Sequence, residues 1–451
     1  MSDHKDPQPR ENAEMYQKPK RSDYRDEYVA AKHAQEIHKS GKCGLRRREF
    51  LALGGLGMIG GSFALAGGLR QGGYAQATVS KAVAEHNELH HDVANHDHGY
   101  MGTVGDISGQ ELSVFNPSQY LTSWNFNHLP EPMRKQFYRE STLPGGQTLR
   151  EYLFVGRDRE IEIAPGIYFP AWTYNDQVPG PTIRATRGDR IRIWFINEGS
   201  HPHTIHFHGW HPYEMDGTFS EQSVQPAKRG LEAPFGPGAD VNPWLAQGAT
   251  QLRQRGLDIY EFDAEPIGVH LYHCHSSPLK HHIHKGLYGV FVVDPPGSGQ
   301  PADRRHKIDP DTNEPLPNDH PIHEMMMVMN AFDTNFDGEN EVYAVNTFAH
   351  HYMRHPIKVK IGDLVRIYLV NLTEFDPINS FHLHAGFFRV YRTGTSFVSH
   401  EYTDTVMMCQ AERMILEYRF RWPGKYMFHA HQSEFAELGW MGLFEAVDRV
   451  A

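Results

Sequence analysis

The sequence predicts an all-β protein: two homologous β-barrel or sandwich domains behind a leader and a long amino-terminal extension. Three observations carry this prediction. From Arg150 the chain runs in short β-rich segments broken by Gly and Pro, such as Ile161–Ile163, Ile191–Ile196 and Val290–Val293, the pattern of strands joined by turns. The segment Gly188-Asp189-Arg190-Ile191-Arg192-Ile193-Trp194-Phe195-Ile196-Asn197 is echoed by Gly362-Asp363-Leu364-Val365-Arg366-Ile367-Tyr368-Leu369-Val370-Asn371. Each copy is followed by two His-x-His pairs, His206/His208 then His273/His275, and His382/His384 then His429/His431. The last pair in each half is trailed by Gly286-Leu287-Tyr288-Gly289 or by Gly439-Trp440-Met441-Gly442. Landmarks recurring in one order define a repeated domain.

Taken in order, residues 1–77 form a leader whose first part, Met1 to Lys42, is polar, lacks apolar periodicity and reads as disordered. Arg46-Arg47-Arg48-Glu49-Phe50-Leu51 then precedes a Gly/Ala/Leu-rich run, Ala52 to Leu69, and the small-residue site Ala75-Gln76-Ala77. This resembles a twin-arginine leader, which implies export to the periplasm or outside the cell. An uncleaved membrane anchor is the alternative. Residues 78–149 are an extension carrying His86, His90, His91, His96 and His98 in an acidic segment, read as a solvated tail. Domain one covers 150–295, a Pro/Asp-rich linker 296–321, and domain two 322–451.

With 451 residues, 39% of them hydrophobic, the chain can build two cores, and its net charge of -11 gives no basic footprint for nucleic acid. Three cysteines, Cys43, Cys274 and Cys409, argue against a disulfide framework. The 31 histidines are the outlier, and imidazole suits copper, zinc, iron and nickel.

Each His-x-His on a strand places two imidazoles on one face, about 7 Å apart along the backbone. Converging pairs can therefore share metals. Parity then separates a second site. Cys274 lies between His273 and His275 and points to the opposite face, and so does His203, three residues before His206. A Cys/His site of this kind is the ligand set of blue copper. Domain two has Asn379 and Ala430 at the equivalent positions and lacks it. His273-Cys274-His275 thus joins two metal sites through a few covalent bonds, which suits electron transfer.

On these motifs, His203-x-x-His206-x-His208, His273-Cys274-His275, His382-x-His384 and His429-x-His431, the chain from Arg150 to Val450 resembles the two-domain, laccase-like multicopper oxidases with type 1 copper in domain one. Asn175-Asp176-Gln177-Val178-Pro179-Gly180-Pro181 also looks like a signature of that family. The resemblance implies Greek-key cupredoxin-like domains and about four copper ions per chain, one of type 1, one of type 2 and two of type 3. His206 and His382 would hold type 2 copper. His208, His273, His275, His384, His429 and His431 would hold the type 3 pair. Type 1 would use His203, Cys274 and one of His281, His282 and His284; taking Leu287 as the apolar axial residue selects His282. Asp216 looks like the carboxylate near the type 2 water, and Glu434 or Glu437 is a candidate second acid.

The implied reaction is one-electron oxidation of a reducing substrate (a phenol, a metal ion or a small redox protein) coupled to reduction of dioxygen to water. Relatives of this kind form homotrimers whose clusters are shared between chains. A copper nitrite reductase is the alternative, and a non-catalytic copper-binding protein a second. Two further motifs read as structural. Asp333-x-Asn335-x-Asp337-Gly338 begins like a calcium loop but reads as a tight turn, because its twelfth position is Ala344. Met325, Met326, Met327 and Met329 read as strand core rather than a metal relay.

Overall fold

In the computed structural model the residues described are 115–123, 131–228, 231, 235, 242–296, 308–317 and 319–448. The leader, its arginine run, Cys43 and the histidines between 86 and 98 lie outside them. Among the described residues no helix is long and apolar enough to cross a membrane.

The first half contains β1 (Tyr138–Thr142), β2 (Thr148–Ala164), β3 (Ile167–Tyr174), β4 (Ile183–Thr186), β5 (Arg190–Asn197), β6 (His206–Phe207), β7 (Leu257–Asp263), β8 (Gly268–His273) and β9 (Tyr288–Asp294). The second contains β10 (Ile322–Phe332), β11 (Val342–Val345), β12 (Ile357–Lys360), β13 (Leu364–Asn371), β14 (Ile378–Leu383), β15 (Phe388–Arg392), β16 (Glu401–Thr403), β17 (Thr405–Cys409), β18 (Arg413–Tyr418), β19 (Gly424–His429) and β20 (Met441–Val447).

Each half is a pair of sheets with matching connections. In the first, β2-β5-β7 forms the spine of one sheet and β4-β9-β8-β6 the other; in the second, β10-β13-β18 and β12-β20-β19-β14 take the same places. The echoed segments are β5 and β13, parallel to β2 and β10 respectively and each antiparallel to a later strand, β7 or β18. Side chains of both sheets, such as Phe154, Ile193 and Phe262 on one and Phe207, Tyr272 and Phe291 on the other, meet in a single core.

The glycine tails have a steric reason. Gly289 pairs across the ladder with Tyr272, and Gly442 with Phe428. A Cβ at either glycine would run into that ring, so the aromatic just before the second His-x-His of each half lies over a glycine.

The first sheet reaches further back than the boundary placed at residue 150. That boundary falls inside β2, and β1 pairs with its start. β1 is an edge strand whose residues are largely exposed and polar, so no apolar alternation marks it.

β8 is buried on both faces. Tyr272 and Cys274 enter the core of the first half, whereas Val269 and Leu271 join a second cluster with Met325 to Met329 on β10. Those methionines are 0–3% exposed and are core residues. A buried network also ties the halves together: Arg184 donates to Asp294 at 2.7 Å and to Glu324 at 3.0 Å, and Tyr368 donates to Glu324 at 2.6 Å.

Candidate metal centres

Antiparallel pairing sets the paired histidines opposite one another. His206 on β6 lies across from His273 on β8, and His382 on β14 lies across from His429 on β19. Side chains directly opposite in such a ladder are about 5 Å apart at Cβ, so each half gathers its own four imidazoles. In the first quartet the ring of His206 is 5.1 Å from His208, 5.2 Å from His273 and 5.4 Å from His275. In the second, His382 is 5.0 Å from His384, 5.3 Å from His429 and 5.2 Å from His431. Among the described residues, each close grouping of donor atoms comes from one half only.

Backbone carbonyls fix the tautomers. His206 Nδ1 donates to the Asp216 carbonyl at 2.8 Å and His273 Nδ1 to the Cys274 carbonyl at 2.9 Å. In the second half His382 Nδ1 donates to the Asp404 carbonyl at 3.0 Å and His429 Nδ1 to the Ala430 carbonyl at 2.6 Å. A carbonyl only accepts, so each of these rings presents a bare Nε2. His208 and His273 bring Nε2 atoms within 3.2 Å, and His384 and His429 within 3.0 Å. Burial drives His208 down to about 2 and His273 to about 4, so both are neutral at ordinary pH. A bare Nε2 facing a second imidazole nitrogen at this distance fits a shared cation, and orientation of the far ring nitrogen by a carbonyl is the usual support of a metal-binding imidazole.

On the other side of β8 lies a second centre. The Cys274 sulfur is 3.1 Å from His282 Nδ1 and 3.9 Å from His203 Nδ1, and the two Nδ1 atoms are 3.1 Å apart. All three residues are at most 2% exposed, and His203 Nε2 is buried without a partner. Burial pushes the Cys274 thiol up, holds His282 near 4 and takes His203 well below the ordinary imidazole range. Two neutral imidazoles and a sulfur converging in an apolar pocket fit a soft transition metal, whose binding would deprotonate the thiol. Thr204 N–H donates to the sulfur at 3.3 Å, and the Thr204 hydroxyl accepts from His275 N–H at 2.9 Å.

Of the three histidines competing for this centre, the structure brings only His282 to the sulfur. They ride on the helix Leu279–His284, whose turn exposes His281 and sends His284 the other way, to accept the Asp333 N–H at 3.0 Å. Leu287 is fully buried, and its carbonyl accepts the Cys274 N–H at 2.9 Å. His203 is not on one continuous strand with His206. It forms an isolated bridge with Val224 ahead of the two-residue β6, yet it still faces Cys274.

Asp216 sits beside the first quartet: its Oδ1 is 3.4 Å from His206 Nδ1 and 3.7 Å from His211 Nε2, and Thr218 donates to its other oxygen. Glu434 and Glu437 are exposed on the helix Ser433–Glu437 and enter none of the close donor groupings. The residue that holds His382 as Asp216 holds His206 is Asp404, which sequence reasoning missed. Asp216 follows its histidine by ten residues and Asp404 by twenty-two, so spacing hides the correspondence. The Asp333 motif is a turn between β10 and β11 whose carboxylate accepts the N–H groups of Asp337 and Gly338.

Two cupredoxin-like domains carrying eight paired histidines and one Cys/His centre define a copper-protein architecture. Multicopper oxidase family models match residues 158–236 and 315–449. A crystal structure of a multicopper oxidase is 45% identical, covers 75% of this chain and 99% of its own, and superposes with a TM-score of 0.60. The chain belongs to the multicopper oxidase family, as a two-domain member. It is also 23% identical over 290 residues to a copper-containing nitrite reductase of Neisseria gonorrhoeae, covering 61% of this chain and 62% of the relative. An L-ascorbate oxidase of Cucurbita maxima is 31% identical over 151 residues, 32% of this chain and 20% of the relative. The chain therefore spans about three fifths of the length of the nitrite reductase.

Proposed function

We propose that the protein is a copper-dependent oxidase that takes electrons singly from a reducing substrate at the Cys274 centre and delivers them to dioxygen at the paired histidines. The balance is one dioxygen, four electrons and four protons to two waters. Bound copper supplies the one-electron redox chemistry and the dioxygen-binding cluster. One observation carries the reading: Cys274 reaches His203 and His282 with its sulfur, while its sequence neighbours His273 and His275 belong to the quartet on the other side of the strand. His203, Cys274 and His282 would hold type 1 copper, in a pocket to which buried Leu287 brings no donor atom. His206 and His382 would hold type 2, and the other six paired histidines type 3. Asp216, beside His206 and His211, is placed to hold or pass a proton.

Each quartet is gathered within one half, which supports a cluster completed by a second chain. Exposed aromatics follow the first pair of each half closely in the chain, Trp210 and Tyr213 after His208 and Phe387 after His384, which is in keeping with a closed homotrimer. Full activity in a monomer would refute this assembly. The arginine run and Ala75-Gln76-Ala77 support export to the periplasm or beyond.

The deciding experiment is metal analysis with oxygen uptake on wild type and Cys274→Ser. About four copper ions per chain and oxygen consumption are expected of wild type, with the intense blue band and turnover lost in the variant and most of the other copper kept. Nitrite reduction is the second reading, raised by the Neisseria relative. It predicts about two copper ions per chain and leaves most of the eight histidines without a role.

A further inference from the structure

The three donors of the Cys274 centre are buried, so an electron from outside must cross a covering group. That cover is Trp172 on β3. Its ring lies 5.2 Å from His203 and 4.8 Å from His282, touching both imidazoles, and it is itself half-buried. On its outer side it meets the exposed His201 at 4.6 Å. Two residues along the same face of β3, the fully buried Tyr174 donates to the Thr204 carbonyl at 2.5 Å, behind the sulfur. Trp172 N–H donates to the Lys285 carbonyl at 2.8 Å, just past the helix that carries His282. The Lys285 ammonium lies 5.7 Å from the Trp172 ring, 5.3 Å from Phe169 and 5.0 Å from Phe336. Backbone and cation–π contacts therefore both hold the indole in place.

The geometry points to Trp172 as the electron port of this centre: a positioning residue whose ring bridges the reducing substrate and the two imidazoles. The inference rests on the oxidase reading and deepens it. In the step the donor loses one electron, the metal centre held by Cys274 gains it, and Trp172 ends unchanged. A flat aromatic donor such as a hydroquinone suits this surface, because it can stack on an indole and an imidazole.

The test is anaerobic stopped-flow reduction of copper-loaded wild type, Trp172→Phe and Trp172→Leu by hydroquinone, followed at the thiolate band, with a redox titration of that band. All three proteins should keep the band. Reduction of Trp172→Leu should slow by roughly ten- to a hundredfold, the scale of a lost positioning contact, with most of the rate restored in Trp172→Phe. Reoxidation by dioxygen should not change. Reduction of Trp172→Leu at the wild-type rate, or a slowing fully explained by a shifted potential, overturns the inference. A second readout needs no turnover: copper(II) added to metal-free protein should quench part of the tryptophan emission, and Trp172→Phe should lose that part while binding the same copper. An undiminished quench overturns the contact. A wild type without the band defeats the oxidase reading; a banded wild type with unresponsive variants defeats this inference alone.

Discussion

Around Cys274 and around Ala430 the chain follows one backbone path to two different interiors. In both, a strand ends at a histidine, a short helix follows, and a glycine-flanked strand returns. The hydrogen bonds correspond: Cys274 N–H donates to Leu287 and Ala430 N–H to Trp440, while Leu287 N–H donates to His282 and Trp440 N–H to Phe435. Phe435 thus stands where His282 stands, and Trp440 where Leu287 does. In the second half Trp440 is fully buried and packs edge-on against Phe381 and Phe428. Asn379, at the place of His203, hydrogen-bonds Ser380 and Thr373 instead of facing a donor. The same frame encloses one thiol and two imidazoles in one half and an indole in the other. What differs at these matched positions is side-chain volume and chemistry.

Exchange of the two residues that differ most in volume should have the largest effect. Leu287→Trp should abolish the blue band, because the indole overfills the pocket that His203, Cys274 and His282 share; band intensity per chain in a folded variant checks this. A normal band would show that Leu287 does not border the centre. The reciprocal Trp440→Leu should leave a cavity and lower stability by about 3 kcal/mol, read by denaturant unfolding of metal-free protein, with the blue band kept.

A third difference is the longer helix segment of the first half, eight residues from Cys274 to His282 against five from Ala430 to Phe435. Two residues past His282, where the second half has Glu437, stands His284, whose pKa burial lowers to about 3. Its folded pKa lies below its unfolded one, so the unfolded chain takes up the proton first. Stability from this group is therefore full above about pH 6.5 and falls as pH drops toward 3. His284→Gln should flatten the slope of metal-free stability against pH in that window; an unchanged slope would count against it. The smallest effects concern what the halves share. Thr204→Val and Ser380→Ala each remove the hydroxyl that accepts the His275 or His431 N–H, at 2.9 and 2.8 Å. Each should cost about 1 kcal/mol in thermal or denaturant unfolding, but only Thr204→Val should shift the absorption band.

The repeat, the four His-x-His pairs and the opposed facing of Cys274 were legible in sequence because strand parity is a local property. Where chain geometry departed from that rule the reading was coarser. His203 precedes β6 rather than lying on it, and β1, polar and at an edge, carried no periodic signal. Asp404 escaped because it reaches His382 across a long connection whose length differs from that of its counterpart Asp216.

By itself, then, the sequence determined the doubled β architecture and the residue types of both centres, since these follow from spacing along single strands. Tertiary structure decided which of His281, His282 and His284 meets the sulfur, because three neighbours on a helical turn point in different directions. It also decided that Trp172 covers the pair His203 and His282, and that the quartets gather separately in the two halves. Those facts depend on how distant strands pair and pack, and no local pattern encodes that.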